Sequence, residues 1–282
     1  MTPTPPQPVE ACTTARWDLE MTALSSITHR GDATGAVTAL FRREKVILPD
    51  RTVVWVPIIS GNSFRGVLRR IGERLLRNQL GYSDLPLPAA HTLLGAGTLA
   101  KSQAEPLSGR RLAELRRMNP LLAVFGGCAG GRIINGCLQV GKVSPIIDDM
   151  RHLLPTGIGG DVGLDKRSIV ALESYSHLGV ADPDSAGVDG QMRFSYETLA
   201  AGTPLHGWVQ IEYPTAVEHS FLCEVLRTFI IDGHLGGRRA VGHGMVQVAI
   251  SPALPDRHAA SPWREYLSEH HDAATEALTW LT

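Results

Sequence analysis

A switch of hydrophobic period near Ser60 constrains the fold more than any other feature of this sequence. Val53–Ile59 is a short apolar run rich in β-branched residues, and such a run before a turn predicts a buried strand. After the turn Ser60–Ser63, apolar residues recur at helical spacing, at Phe64, Val67, Leu68, Ile71 and Leu75. The sequence therefore predicts a strand that leads through a glycine-containing turn into an amphipathic helix.

The turn and the polar face of this helix predict a site for an anion. Asn62 or Ser63 can cap the helix through a side-chain oxygen, and Gly61 and Gly66 leave room for a ligand next to the backbone. The polar face is rich in arginine, with Arg65, Arg69, Arg70, Arg74 and Arg77. A free helix N-terminus beside arginines favours a polyanion. From periodicity alone, a solvated surface is an equally good interpretation.

Composition and charge narrow the class of protein. With 282 residues, 43% apolar and 20% charged, the chain is long enough for a sizeable core. It has no apolar run long enough to span a membrane and no signal peptide, and its four cysteines lack CxxC spacing, which together predict a cytoplasmic protein. The net charge of −1 excludes a uniformly basic domain, but arginines cluster around the helix, at 110–117 and at 238–239, which favours a local polyanion groove. No metal site or cofactor is predicted.

Two residues that follow the first predicted strand, Ala15–Thr28, are candidates for acid–base chemistry. His29 and Asp32 lie close together in the sequence, in an apparent turn. A histidine and an aspartate in one loop are common, and nothing nearby completes a catalytic site. The sequence therefore favours a structural role, in which Asp32 initiates a turn and His29 caps the strand.

The residue order around the helix resembles the first strand–helix junction of the RAMP superfamily, the RRM-like proteins of class 1 CRISPR effector complexes. That junction has the pattern P-x-x-S-G-N-S-h-R-G-x-L-R, where h is apolar. The matching positions here are Pro57, Ser60, Gly61, Asn62, Ser63, Phe64, Arg65, Gly66, Leu68 and Arg69.

Later phrases of the sequence resemble the same superfamily. Phe125-Gly126 precedes a glycine-rich turn and a strand, and Glu197 to Val209 resembles a strand–turn–strand phrase that contains Gly202-Thr203. A glycine-rich loop then runs into the last predicted strand, with Gly233, Gly236, Gly237, Gly242 and Gly244. Within the superfamily the wording is most similar to the type IV backbone subunit, with type III and type I-D subunits as near competitors.

The resemblance implies an α+β fold with an RRM/ferredoxin-like core, an antiparallel sheet with helices. Residues 15–250 would form this palm, after a disordered tail at 1–14. A finger or helical insertion is expected at about 81–120 and a thumb β-hairpin at about 142–196. Residues 251–282 are expected to hold a C-terminal amphipathic helix.

The implied function is that of a non-catalytic backbone subunit that polymerises along CRISPR RNA as a helical filament and presents it to target DNA or RNA. Further implied partners are large, small and capping subunits of the effector complex and a helicase. The RNA-binding residues expected on this basis are Gly61, Asn62, Ser63, Arg65, Arg69, Lys166, Arg167, Gly236, Gly237, Arg238, Arg239, Gly242, His243 and Gly244. Glycine amides freed in the loop would hold phosphate or ribose oxygens.

Two other functions remain open at this point. One is an endoribonuclease that cleaves its target with Asp32, as in type III backbones, or processes a guide with His29. The other is an anion-binding module that uses the same helix N-terminus without any RNA.

Overall fold

The computed structural model describes residues 13–34, 38–97, 109–129, 132–158, 163–178, 191–256 and 261–281. The predicted N-terminal tail therefore lies almost wholly outside the described residues. In chain order the strands β1 to β13 are Ala15–Ala23, Arg30–Thr34, Thr38–Phe41, Arg43–Ile47, Val53–Pro57, Gly127–Ala129, Arg132–Ile134, Leu138–Val140, Ser144–Pro145, Val170–Leu178, Gln191–Leu199, Pro204–Ile211 and Val246–Ser251. The α-helices α1 to α7 are Gly61–Leu80, Leu87–Gly95, Gly109–Met118, Pro120–Phe125, Ala216–Asp232, Pro262–Glu269 and His271–Thr279.

The palm is a β-α-β-β-α-β unit made of β1, α1, β8, β12, α5 and β13. Its strands lie in the spatial order β13-β1-β12-β8, and each neighbouring pair is antiparallel. In the unit's own numbering this is the order fourth, first, third, second, which is that of the ferredoxin-like fold. The predicted α+β fold with an RRM/ferredoxin-like core is confirmed.

The core lies between this sheet and the helices α1 and α5. Alternate residues of β1 (Trp17, Leu19, Met21) are buried, as expected for a strand with one face on the core. Phe64 of α1 and Phe229 of α5 are both fully buried, with their ring centroids 5.3 Å apart. The helical and strand periods of the sequence therefore meet in one apolar layer.

A second sheet contains the hairpin that the sequence predicts as a thumb, and we call it the thumb sheet. Its strand order is β10-β11-β3-β2, in which the hairpin β10–β11 is antiparallel and β11 runs parallel to β3. Isolated bridges join Ile27 to Leu199 and Thr28 to Gly237, so the segment after β1 links the thumb to the glycine-rich loop, residues 233–245. The sequence predicted the hairpin, but its second strand continues to Leu199, and β9 at the start of the predicted thumb pairs with palm strand β12.

Three local predictions are corrected. The cap of α1 is Ser60, whose hydroxyl accepts from the backbone N–H of Ser63 (3.3 Å), so the helix starts at Gly61 rather than after the turn. The predicted turn at 29–32 is the start of β2. The C-terminal region forms two helices, α6 and α7, because the chain bends at His270.

The capping box at the start of α5 gives a stability prediction. Thr215 accepts from the backbone N–H of Glu218 (3.2 Å), whose carboxylate accepts from the backbone N–H of Thr215 (2.7 Å). We expect Thr215→Ala to lower the free energy of unfolding by about 1 kcal/mol, measured by urea titration. The control is Thr228→Ala in the same helix, where the hydroxyl only bonds back to the Glu224 carbonyl. Equal losses in the two variants would contradict the prediction.

Candidate nucleic-acid interface

A groove of about 670 Å³ lies between the thumb sheet, the glycine-rich loop and the start of α1. It is lined by Thr28, His29, Arg30, Thr38, Ala39, Leu40, Ser63, Tyr175, Phe194, Ser195, Tyr196, Glu197, Gly236, Gly237 and Arg238. These residues come from segments that are far apart in the sequence, so only the fold brings them together. The groove combines aromatic rings, two arginines and hydroxyl groups, which is the chemistry of a single-stranded nucleic-acid site.

An aromatic platform forms one wall of the groove. It consists of Tyr175 on β10 and Phe194 and Tyr196 on β11. Tyr175 and Phe194 are directly paired across the hairpin, and their rings are stacked with centroids 5.5 Å apart. The guanidinium of Arg238 lies over Tyr175 and Tyr196, at 4.3 Å and 4.6 Å from the ring centroids. A cation held on aromatic rings at the edge of a groove can contact a phosphate while a base stacks beside it.

A hydrogen-bonded network behind the platform fixes the position of Tyr196. The Tyr196 hydroxyl lies 3.3 Å from a carboxylate oxygen of Glu173 and 3.2 Å from Nε2 of His243. Burial, followed by the charge of Glu173, raises the pKa of Tyr196, so its hydroxyl stays protonated. Nδ1 of His243 lies 2.9 Å from the Ser26 hydroxyl. His243 is 8% exposed and holds this network together, which favours a structural role over the expected contact with RNA.

One buried hydroxyl of the groove has no internal partner. Thr28 is 8% exposed, and its Oγ1 atom makes no hydrogen bond within the described residues. Buried polar atoms are nearly always paired, and an exception needs a physical explanation. Thr28 lines the groove, but its Oγ1 atom is itself buried, and the structure does not show what pairs with it.

Glycines bring the loop close to the segment after β1. A side chain at Gly236 would meet the carbonyl oxygen of Thr28 at 2.2 Å, and one at Gly244 would meet that of Leu235 at 2.1 Å. Both glycines have positive φ angles, +74° and +87°, which other residues rarely adopt. They are therefore required for the loop to fold against its neighbours and form the wall of the groove.

Three of the glycine amides that were expected to hold phosphate are already bonded within the protein. The amides of Gly237, Gly242 and Gly244 donate to the carbonyl oxygens of Thr28, Arg239 and Ser26. These donors are satisfied within the protein, so the loop offers a ligand its arginines rather than these amides.

Arg69 is not part of the groove. It is 4% exposed, and its guanidinium donates to the carbonyl oxygens of Leu93 (2.7 Å), Thr92 (2.6 Å), Gly126 (2.9 Å) and Phe125 (3.4 Å). Burial, assisted by the charge of Arg65, lowers the pKa of Arg69 to about 10, which still leaves it charged at neutral pH. Every donor nitrogen of its side chain is already bonded to the protein, which favours an internal role for Arg69 over the expected contact with RNA.

Arg65 has a similar internal role. Its guanidinium donates to the carbonyl oxygens of Leu138 and Phe125, both at 2.8 Å. Burial lowers its pKa from the ordinary arginine value. We therefore assign Arg65 to anchoring α1 against the Phe125-Gly126 turn and palm strand β8, rather than to binding RNA.

One of the two candidate catalytic residues, His29, is held differently from what acid–base chemistry would need. Nε2 of His29 accepts from the backbone N–H of Ser60 at 3.1 Å, and its ring meets Phe41 edge-on. A nitrogen that accepts this bond has no free lone pair for a proton, so His29 connects the end of the β1 segment to the start of α1. Asp32 lies on β2, and its side chain is outside the described residues.

The remaining expected site residues are spread over the surface. Gly61 packs against the backbone of β8 and the residue after it, and Asn62 is exposed at the start of α1. Lys166 is paired with Asp149 (3.1 Å) just before β10, next to the exposed Arg167. Of the whole expected set, Ser63, Gly236, Gly237 and Arg238 line the groove.

Sequence reasoning missed the aromatic platform and Arg30. A usable signal was present, since Phe194 and Tyr196 are two residues apart and must share one face of a strand. Finding Tyr175 opposite Phe194 also needed the hairpin register, which depends on a turn that carries no clear length signal.

Comparisons with known proteins identify the family of this chain. The model of the RAMP superfamily matches residues 20–247. The chain belongs to the RAMP superfamily. It is also similar to a chain of a solved structure described as a type IV-B CRISPR complex, with 39% identity, a TM-score of 0.62, and coverage of 90% of this chain and 99% of that one. A comparison with curated proteins gave no match.

The family assignment confirms the resemblance drawn from the junction at Ser60. In this chain the groove lies between the glycine-rich loop and the thumb sheet. Among the helices that the structure describes, none is both long and apolar enough to cross a bilayer. The same part of the chain contains no cluster of three or more histidine, cysteine or acidic residues arranged to hold a metal ion.

The buried guanidinium of Arg69 gives a second stability prediction. Arg69→Met keeps the length of the side chain but leaves the carbonyl oxygens of Thr92, Leu93 and Gly126 without these donors. We expect the free energy of unfolding to fall by about 3 kcal/mol, measured by urea titration followed by circular dichroism. Arg70→Met, at the exposed next position of the same helix, is the matched control and should change it by less than about 0.5 kcal/mol. Similar unfolding midpoints for the two variants would contradict the role assigned to Arg69.

Proposed function

We propose that this RAMP protein is a CRISPR RNA-binding backbone subunit of a type IV-like class 1 effector complex. The proposal is supported by family membership and by the similarity to a chain of a type IV-B CRISPR complex. The single observation that carries it is the guanidinium of Arg238 lying over Tyr175 and Tyr196 at the edge of the groove. This arrangement offers one positive charge and several ring surfaces to a single strand.

The groove would bind RNA with little dependence on its sequence. Arg238 and Arg30 would neutralise phosphates, and bases would stack against the platform. Every base has a stackable face and every nucleotide a phosphate, so the contacts suit any spacer. Specificity would come from pairing between the guide and its target DNA or RNA.

The assembly follows from this mode of binding. Since one groove holds only a few nucleotides, several copies would lie side by side along one guide as a helical filament. Large, small and capping subunits of the effector complex, and a helicase, are the further partners that this function requires. A cytoplasmic ribonucleoprotein in defence against plasmids or phage is the corresponding cellular role.

The groove residues give the test of RNA binding. We expect Arg238→Gln and Tyr175→Leu each to weaken binding of a fluorescent single-stranded RNA about 10-fold, because each removes a charge or a stacking surface. Arg238→Lys should recover part of the loss. Lys45→Gln, an exposed position on hairpin β4–β5 outside the groove, is the control for loss of one charge.

Co-expression with a guide RNA then tests assembly. Size exclusion with absorbance at two wavelengths should give a large RNA-rich particle for the wild type and smaller, RNA-poor species for Arg238→Gln. A monomer free of nucleic acid in both runs would overturn the RNA proposal and leave the anion-binding module as the better account.

We also propose that the subunit does not cleave RNA, as its resemblance to type IV backbone subunits implies; of the two candidate residues, His29 has its Nε2 engaged by the backbone N–H of Ser60. Wild type and Asp32→Asn should therefore leave a guide and its paired target RNA equally intact in the presence of Mg²⁺, as seen on a denaturing gel. Cleavage by the wild type that Asp32→Asn abolishes, with binding unchanged, would establish the endoribonuclease alternative instead.

A further inference from the structure

A second cavity of about 330 Å³ lies on the other side of the glycine-rich loop from the groove. Its floor is the exposed side of α1, from Val67 to Arg74, and its opposite wall is formed by the end of α5 and the loop. Arg70, Arg74 and Arg239 are its cations, and Asp232 is its one carboxylate. Three guanidinium groups against one carboxylate give a concave site with an excess of positive charge.

Two of these arginines are available to a ligand. Arg70 and Arg239 are exposed, and neither forms a hydrogen bond or ion pair with any part of the chain that the structure describes. They come from α1 and from the loop, so the fold brings two unpaired guanidinium groups to one cavity. Arg65 and Arg69 of the same helix are bonded to carbonyl oxygens and provide the contrast.

The cavity adjoins the groove through the loop backbone. Gly236 lines both spaces. Arg238 lines the groove, whereas the next residue, Arg239, lines the second cavity. The backbone of Arg238 is left-handed (φ 58°, ψ 32°), and this conformation turns the chain so that consecutive arginines serve opposite sides of the loop.

We propose that the second cavity is a phosphate-binding site for the backbone of a strand that leaves the groove over Gly236, with Arg70 and Arg239 as its ligands. This inference rests on the proposed function and adds to it a contact outside the aromatic groove. A phosphodiester carries the negative charge that would pair with these two guanidinium groups, and the planar guanidinium matches the geometry of phosphate oxygens. The lining residues include no Phe, Tyr or Trp, and their one ring, that of His234, is held by a hydrogen bond to the Asp232 carbonyl oxygen, so the site would hold the backbone and not a base.

The ion pair in this cavity limits its affinity. Arg74 and Asp232 are 2.5 Å apart, with side chains 49% and 33% exposed. Asp232 is also the last residue of α5, where a negative charge is unfavourable to the helix dipole. Removing that charge frees Arg74 for the ligand without breaking a buried contact, so binding should become tighter.

The experiment measures the salt dependence of binding to a single-stranded RNA long enough to extend beyond the groove. For the double variant Arg70→Gln/Arg239→Gln we expect about 10-fold weaker binding and a slope of log K against log salt that is shallower by about 0.7, the value for one lost phosphate contact on a single strand. The Asp232→Asn variant should bind the RNA about 3-fold more tightly, whereas a folding defect would weaken binding. The control Lys45→Gln/Arg51→Gln removes two exposed charges from hairpin β4–β5 and its turn and should keep the wild-type slope.

The outcomes separate this site from the groove. If the wild type binds RNA and neither the double variant nor Asp232→Asn differs from it, the phosphate site is overturned and the groove proposal stands. If the wild type binds no RNA, the proposed function fails. Thermal denaturation with and without tripolyphosphate then tests whether the cavity binds an anion. A rise in Tm with tripolyphosphate in the wild type that the double variant loses supports an anion site, and an equal rise or none in both overturns it.

Discussion

The buried charge of Arg69 is the interaction on which the rest of the structure depends. Placing a guanidinium in the interior is costly unless hydrogen bonds replace its water. Here carbonyl oxygens from α2 and from the Phe125-Gly126 turn do so, and these groups would themselves be short of donors at the ends of short helices. One side chain thus satisfies two helix ends and joins three segments that are far apart in sequence.

The same helix serves three purposes on three faces. Phe64 and Leu68 face the core, Arg65 and Arg69 face carbonyl oxygens, and Arg70 and Arg74 face the second cavity. The members of each pair are four residues apart. The second pair is offset from the first by one residue, or about 100° of rotation, and the third from the second by five residues, or about 140°. The structural arginines fix the direction of α1, and this in turn determines where its exposed arginines lie relative to the glycine-rich loop.

The fold was largely predictable, and the site was not. Hydrophobic period and turn residues located β1, α1, α5 and the thumb hairpin, because those signals are local. The different roles of Arg69 and Arg70 could not be predicted from the sequence. Periodicity assigns residues to a face of a helix but does not say whether carbonyl oxygens or water lie opposite. His243 shows the same limit: a glycine-rich loop looked exposed, but its histidine is buried by Ser26 and Tyr196 from elsewhere in the chain.

A chain with a net charge of −1 can still suit a polyanion, because many of its charges are used internally. Arg43 is paired with Glu197, Arg264 with Glu224 and Lys166 with Asp149, so these groups add little to the field at the groove. Arg238, Arg239 and Arg70 are different, since they stand around one loop without a carboxylate partner among the described residues. Their effect depends on position and not on number, which explains how a nearly neutral protein can present a strongly positive path along one edge of its loop.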